Sequence, residues 1–197
     1  MTAFELWVDD GDHDRVATIL PGQGYTAQGP LLHYAATVLR DAGWTIRTLV
    51  WDGECRGRSE AREVYGHVVR DGVTSLPGSR HLVVGKSLGT LAMPVAARMG
   101  VPGVWLTPLI SEHGTLDVRE ATLGLGAHQV PALLVGGTAD ALWDTHVAKA
   151  SGVRVLEVEG ANHSMEVRGD WRRSLEVLDQ VTAAVADLVA EVEAREA

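Results

Sequence analysis

Cysteine is almost missing from this chain. Cys55 is the single one in 197 residues, so no intrachain disulfide can form and packing must hold the fold. That scarcity fits a reducing, cytoplasmic setting, and Cys55 reads as a bystander thiol. Paired cysteines and a His-Glu-x-x-His stretch are both lacking, and His13, His33, His67, His81, His128 and His146 fall at no ligand spacing. Neither a metal nor a cofactor is expected. Positive charge is thin as well: 17 Lys and Arg stand against 26 Asp and Glu, for a net charge of −9, and no basic run occurs. Such a balance argues against nucleic acid or an anionic membrane as partner. Its plain consequence is solubility. No apolar stretch reaches the roughly 20 residues of a membrane helix. The opening Met1-Thr2-Ala3-Phe4-Glu5 has neither the basic region nor the apolar run of a secretion signal. Oligomeric state leaves no mark.

What remains is a composition with 46% hydrophobic and 22% charged residues, that of a globular protein with room for a sizeable core. One domain over residues 1–197 is expected on length. Strand patterns fall at 4–8, 16–20, 45–51, 82–86, 103–107, 131–135 and 153–158. The short Asp9–Asp12 connection predicts that the first two strands run antiparallel. Helical spacing covers 31–42, 60–73, 88–99, 115–123 and 141–150, with Pro94 placed to kink the third of these. A last helix over 171–193 carries the stripe Leu175, Leu178, Val181, Val185, Leu188 and Val192, which predicts its buried face. Strands alternating with helices imply a mostly parallel sheet of about seven strands in a three-layer α/β/α sandwich. No repeat or linker appears, and the connections are too short for a lid domain.

In such folds the chemistry collects at the carboxyl ends of strands. Leu82-Val83-Val84-Gly85-Lys86-Ser87-Leu88-Gly89-Thr90 reads as strand, sharp turn and helix around Gly-x-Ser-x-Gly. In that setting the pentapeptide becomes a nucleophile elbow, with the serine at the tip of a strained turn and small residues on either side. Two other readings compete. A phosphate loop would need glycine at position 80, where Arg80 stands. An ordinary strand-to-helix turn would use the same glycines for their backbone freedom.

A serine hydroxyl needs a base to take its proton and an oriented partner for that base. Asp140 follows the sixth strand and His163 the seventh, in the order Ser, Asp, His. Taken alone, Asp140 could be a helix N-cap and His163 a surface-loop histidine. Glu112, after the fifth strand, is a second candidate for the acid. An oxyanion hole needs two backbone N–H donors, and Leu88, directly after the serine, offers the first. Glu112 and His113 are candidates to line a pocket. Trp143 and Trp51 are candidates too, although core packing explains either.

With these pieces in place, the chain resembles the α/β-hydrolase superfamily along essentially its whole length. Gly85-Lys86-Ser87-Leu88-Gly89, Gly136-Gly137-Thr138-Ala139-Asp140 and Gly160-Ala161-Asn162-His163 carry the resemblance. The lidless build looks most like the small dienelactone-hydrolase-like members, some of which use Cys where this elbow has Ser87. The resemblance implies acyl-enzyme hydrolysis by Ser87, His163 and Asp140. It also implies that the second oxyanion donor is Gln23, in the Pro21-Gly22-Gln23-Gly24 loop. Two departures stand out: Pro21-Gly22 where the family often has His-Gly, and the charge of Lys86 beside the nucleophile. The expected activity is cleavage of small acyl esters. A thioesterase or amidase with the same residues, or a non-catalytic binding protein on the same fold, are the alternatives.

Overall fold

The computed structural model describes residues 4–53 and 57–195. Cys55 and part of the loop after the third strand lie outside them. Among the described residues, seven strands form one sheet: β1 (Phe4–Asp9), β2 (Asp12–Leu20), β3 (Trp44–Trp51), β4 (Arg80–Lys86), β5 (Gly103–Leu106), β6 (Ala132–Gly137) and β7 (Arg154–Val158). Their order is β1-β3-β2-β4-β5-β6-β7. All neighbours are parallel except β1, which pairs antiparallel with β3.

The first two strands do run in opposite directions, but they are not neighbours. Ile46 of β3 stands between them, opposite Asp9 on one side and Ala17 on the other. Gly11 makes this possible. A side-chain carbon there would lie 2.6 Å from the Gly43 and Trp44 carbonyl oxygens, so only glycine lets the connection cross the start of β3 this closely. The Gly11 and Asp12 N–H groups donate to Thr45 Oγ1 at 3.0 Å and to the Gly43 carbonyl at 2.7 Å. Patterning registers which face of a strand is buried, not which strand lies beside it.

Six α-helices among the described residues cover the sheet: α1 (Pro30–Asp41), α2 (Arg58–Ser75), α3 (Met93–Arg98), α4 (Leu116–Gly124), α5 (Thr145–Ala150) and α6 (Trp171–Ala194). Leu31, Leu32, Ala35 and Leu39 of α1 pack with Val177, Val181, Val185 and Leu188 of α6 against one face. Ala61, Val64, Tyr65 and Val68 of α2 pack with residues of α3, α4 and α5 against the other. This is the three-layer α/β/α arrangement. Among the described residues, each connection between parallel strands holds no more than one α-helix. No helix there is long and apolar enough to cross a membrane.

Three local expectations are corrected. Residues 87–92 wind as a 3₁₀ turn, and α3 begins only at Met93. Pro94 therefore sits in a first helical turn, where no N–H is needed, and kinks nothing. The helix expected from 141 begins at Thr145, capped by the Asp144 carboxylate, which accepts from the His146 and Val147 N–H groups. On α6, Leu175 is exposed. The buried face instead begins at Val177 and then follows Val181, Val185, Leu188 and Val192.

Candidate active site

The elbow between β4 and the 3₁₀ turn is built by close backbone approach. Ser87 has φ 51°, in the left-handed region that costs a non-glycine residue about 1–3 kcal/mol. What holds it there is packing: a side-chain carbon at Gly89 would lie 2.2 Å from the Leu20 carbonyl oxygen, and one at Gly85 would lie 2.7 Å from the Gly89 carbonyl oxygen. The buried Thr90 hydroxyl donates to the Ser87 carbonyl at 2.6 Å and accepts from the Leu109 N–H at 3.4 Å, tying the elbow to the loop after β5.

The loops after β6 and β7 are interlocked. The Ala139 N–H donates to the Ala161 carbonyl at 3.0 Å, and the Gly160 N–H donates to Thr138 Oγ1 at 2.9 Å. Gly137 has no room for a side chain, since a carbon there would lie 2.1 Å from the Ala161 oxygen. Asn162 shapes the turn that presents His163: its Oδ1 accepts from the Ser164 and Glu166 N–H groups at 2.8 and 3.0 Å.

The result is one hydrogen-bonded line. Ser87 Oγ lies 2.7 Å from His163 Nε2, and His163 Nδ1 lies 2.7 Å from Asp140 Oδ2. An ionised carboxylate can only accept, so Nδ1 carries the proton and Nε2 is left to accept from the serine hydroxyl. Asp140 is buried, and its other oxygen accepts from the Leu142 N–H at 2.9 Å. The carboxylate is thus fixed at both oxygens. The imidazole is half-buried, with one edge reaching solvent.

Glu112 is elsewhere. It is exposed, and its carboxylate lies 3.6 Å from the exposed His113 ring. The Leu142 carbonyl accepts from the Ile110 and Ser111 N–H groups at 3.1 and 3.0 Å, so the loops after β5 and β6 join through backbone. Trp143 is buried in the core. Its ring fills the space that a side chain at Gly136 would take, and its indole N–H donates to Glu157 at 2.7 Å.

On the opposite flank of Ser87, the loop after β2 passes directly over the elbow. A side-chain carbon at Gly22 would lie 3.3 Å from Ser87 Cβ and 3.2 Å from Lys86 Cδ. The Gly22 N–H is engaged with the Tyr25 carbonyl at 3.1 Å; the next N–H in the loop is that of Gln23. Leu88 is buried, and it is the second residue of the 3₁₀ turn, where the first N–H groups have no partner within the turn.

Two aromatic residues that sequence patterning did not single out brace this loop. The Tyr65 hydroxyl, fully buried on α2, donates to the Pro21 carbonyl at 2.7 Å and accepts from the Trp51 indole N–H at 3.0 Å. Tyr25 Oη accepts from the Leu31 N–H at 3.0 Å, and the ring lies against Gly29. Tyr65 lies within a helical stretch with no motif around it, and Tyr25 only borders the Pro21-Gly22-Gln23-Gly24 loop, so no residue pattern assigns either one this bracing role. Lys86 is 3% exposed, with its ammonium 4.6 Å from the centre of the Tyr25 ring. Burial pushes that ammonium down to about 8, and the charge of Asp140 partly opposes the shift.

Neither a family model nor a curated protein matches this chain. Solved structures do. A serine hydrolase homologue from Coxiella burnetii aligns over 93% of this chain and 92% of its own, with a TM-score of 0.69 and 16% identity. The chain has the α/β-hydrolase fold. Est1E from Butyrivibrio proteoclasticus covers 98% of the chain and 96% of its own at TM-score 0.70 and 15% identity. A serine hydrolase without a lid from Xanthomonas campestris covers 95% and 88% at TM-score 0.67 and 16% identity. At such identities the likeness reaches the α/β-hydrolase backbone and stops short of substrate.

Proposed function

We propose that the protein is a serine hydrolase that cleaves small, uncharged carboxylic esters through an acyl-enzyme. The observation that carries this reading is the continuous Ser87–His163–Asp140 line, two hydrogen bonds of 2.7 Å that start from a serine held at positive φ. Ser87 Oγ attacks the carbonyl carbon as His163 Nε2 takes its proton. Asp140 holds the ring in the required tautomer and stabilises the imidazolium. The negative oxygen is met by the Leu88 and Gln23 N–H groups. When the tetrahedral adduct collapses, the C–O bond to the leaving group breaks and His163 returns its proton to the departing alcohol. Water then repeats the sequence on the acyl-enzyme, releasing the acid and freeing Ser87.

Labelling with a fluorophosphonate probe, read by intact mass, tests this directly. One adduct on Ser87 is expected, with none in Ser87→Ala. Turnover of p-nitrophenyl acetate in that variant should fall by about 10⁴-fold or more, with the thermal unfolding midpoint little changed. Full turnover by Ser87→Ala removes the reading.

A further inference from the structure

Between the loop after β2 and the end of β3 lies a cavity of about 320 Å³, lined by residues 21–28 and by Leu49, Val50, Trp51 and Gly53. We propose that this cavity receives the acyl group of the substrate, and that the group it takes is uncharged and about the size of one substituted ring. The proposal rests on Ser87 being the nucleophile.

Position gives the first argument. Gly22 and Gln23 belong to the cavity wall, and Gly22 also abuts Ser87. A carbonyl bonded to Ser87 Oγ is therefore one residue away from the cavity.

Direction gives the second. The leaving group must receive its proton from His163 Nε2, so it departs on the side of the loops after β6 and β7. In the sheet those strands lie on one side of β4, and β2 and β3 lie on the other. The acyl group, pointing away from the leaving group, faces the cavity.

The lining gives the third. No Asp, Glu, Lys, Arg or His belongs to the wall among the described residues. A charged acyl group would be desolvated there without a counter-ion. Gln23, Thr26 and Gln28 offer neutral hydrogen bonds, and Tyr25 and Trp51 offer ring faces. Both rings are already fixed by their own hydrogen bonds, to the Leu31 N–H and to the Tyr65 hydroxyl, so little ordering remains to be done on binding. The Lys86 ammonium lies against the Tyr25 ring and is not part of the wall.

Size gives the fourth. An apolar cavity of about 150 Å³ suffices for benzene, and this one is about twice that. It holds a substituted ring and is too small to enclose a long alkyl chain.

The test compares kcat/KM for p-nitrophenyl acetate, phenylacetate and palmitate, which share one leaving group. The phenylacetate ester should exceed both others by about tenfold or more. Val50→Trp, which fills the cavity from a partly exposed strand position, should bring the phenylacetate-to-acetate ratio of kcat/KM down to about one. Thr26→Trp, on the exposed loop, serves the same purpose if the first variant does not fold. Equal rates for acetate and phenylacetate, a preference for palmitate, or a parallel loss on both short esters in the variants would overturn the cavity assignment while Ser87 chemistry stands. Failure of every ester, with no Ser87 labelling, overturns the hydrolase reading instead. Binding of benzamide to Ser87→Ala, followed by tryptophan fluorescence and lost in Val50→Trp, supports the cavity independently of turnover; no binding overturns it.

Discussion

The two flanks of Ser87 are held by different means. Toward β6 and β7, the contacts are side chain to side chain: serine, imidazole and carboxylate in line, each atom with one partner. Toward β2 and β3, the loop that meets Ser87 contributes mainly backbone, and its position is set from behind by Tyr65, Tyr25 and the absence of side chains at Gly22 and Gly29. On the proposed reading, the first arrangement concentrates function in three residue types with no substitute. The second spreads it over packing contacts, each replaceable at modest cost. Substitutions on the first flank should therefore act on the chemical step by orders of magnitude, and those on the second by factors.

The sharpest test of this contrast is the pair of carboxylates. Asp140→Asn should lower kcat on p-nitrophenyl acetate by about 10⁴-fold, because an amide at that point favours the wrong imidazole tautomer and leaves its cation unstabilised. Glu112→Gln, on the exposed loop after β5, should keep kcat within about tenfold. Steady-state kinetics on one ester decide the matter, and a crippled Glu112→Gln enzyme would break the comparison at its first flank.

A middle-sized effect belongs to the second flank. Tyr65→Phe removes the hydroxyl that holds the Pro21 carbonyl and leaves the Trp51 N–H without that acceptor. The expected loss is about 1–2 kcal/mol of stability by urea titration, with kcat reduced about tenfold and KM nearly unchanged. That split is the mark of a displaced oxyanion donor. A change in KM alone would mean that Tyr65 supports only the cavity wall.

The smallest effect on turnover concerns Lys86, whose ammonium lies over the Tyr25 ring on one flank and feels the Asp140 charge on the other. Its ammonium titrates near 8 in the folded protein and near 10.4 when the chain is unfolded. Between those values the unfolded chain binds more protons, so this group makes stability rise with pH across that window. Lys86→Met should be more stable than the parent at pH 7 by about 1–3 kcal/mol. The difference should shrink as pH climbs from 8 toward 10, measured as paired urea midpoints. A difference that grows over that range would reverse the assignment of burial as the dominant cause.

The same contrast explains how far the sequence could be read. Strands, helices and the Ser87, Asp140 and His163 positions were legible because each rests on residue type at a strand end. For the acid, Asp140 was the first choice and Glu112 the second, both being carboxylates after strand ends; what separates them is that Asp140 is buried 2.7 Å from His163 Nδ1 while Glu112 is exposed. Trp143 was a pocket candidate for which core packing was the favoured role, and the space at Gly136 that accepts its ring puts it in the core. The place of β3 between β1 and β2 depends on Gly11 passing over Trp44, a contact between residues far apart in sequence. The cavity itself is formed by what surrounds a gap, and no residue type announces it.

The glycine contact that shapes the elbow also governs how the protein reaches its native state. Gly89 rests on the Leu20 carbonyl, at the end of the β2–β4 ladder, in which Arg15 stands opposite Arg80. That ladder closes only after α1, β3 and α2 have been made or set aside, a long-range parallel pairing of the kind that slows folding. Helices and β-turns can appear early from local preference, but Ser87 acquires its geometry only when this closure is complete. Competence of the candidate site is therefore expected to come late in folding, with the strand pairing of largest sequence separation in the sheet.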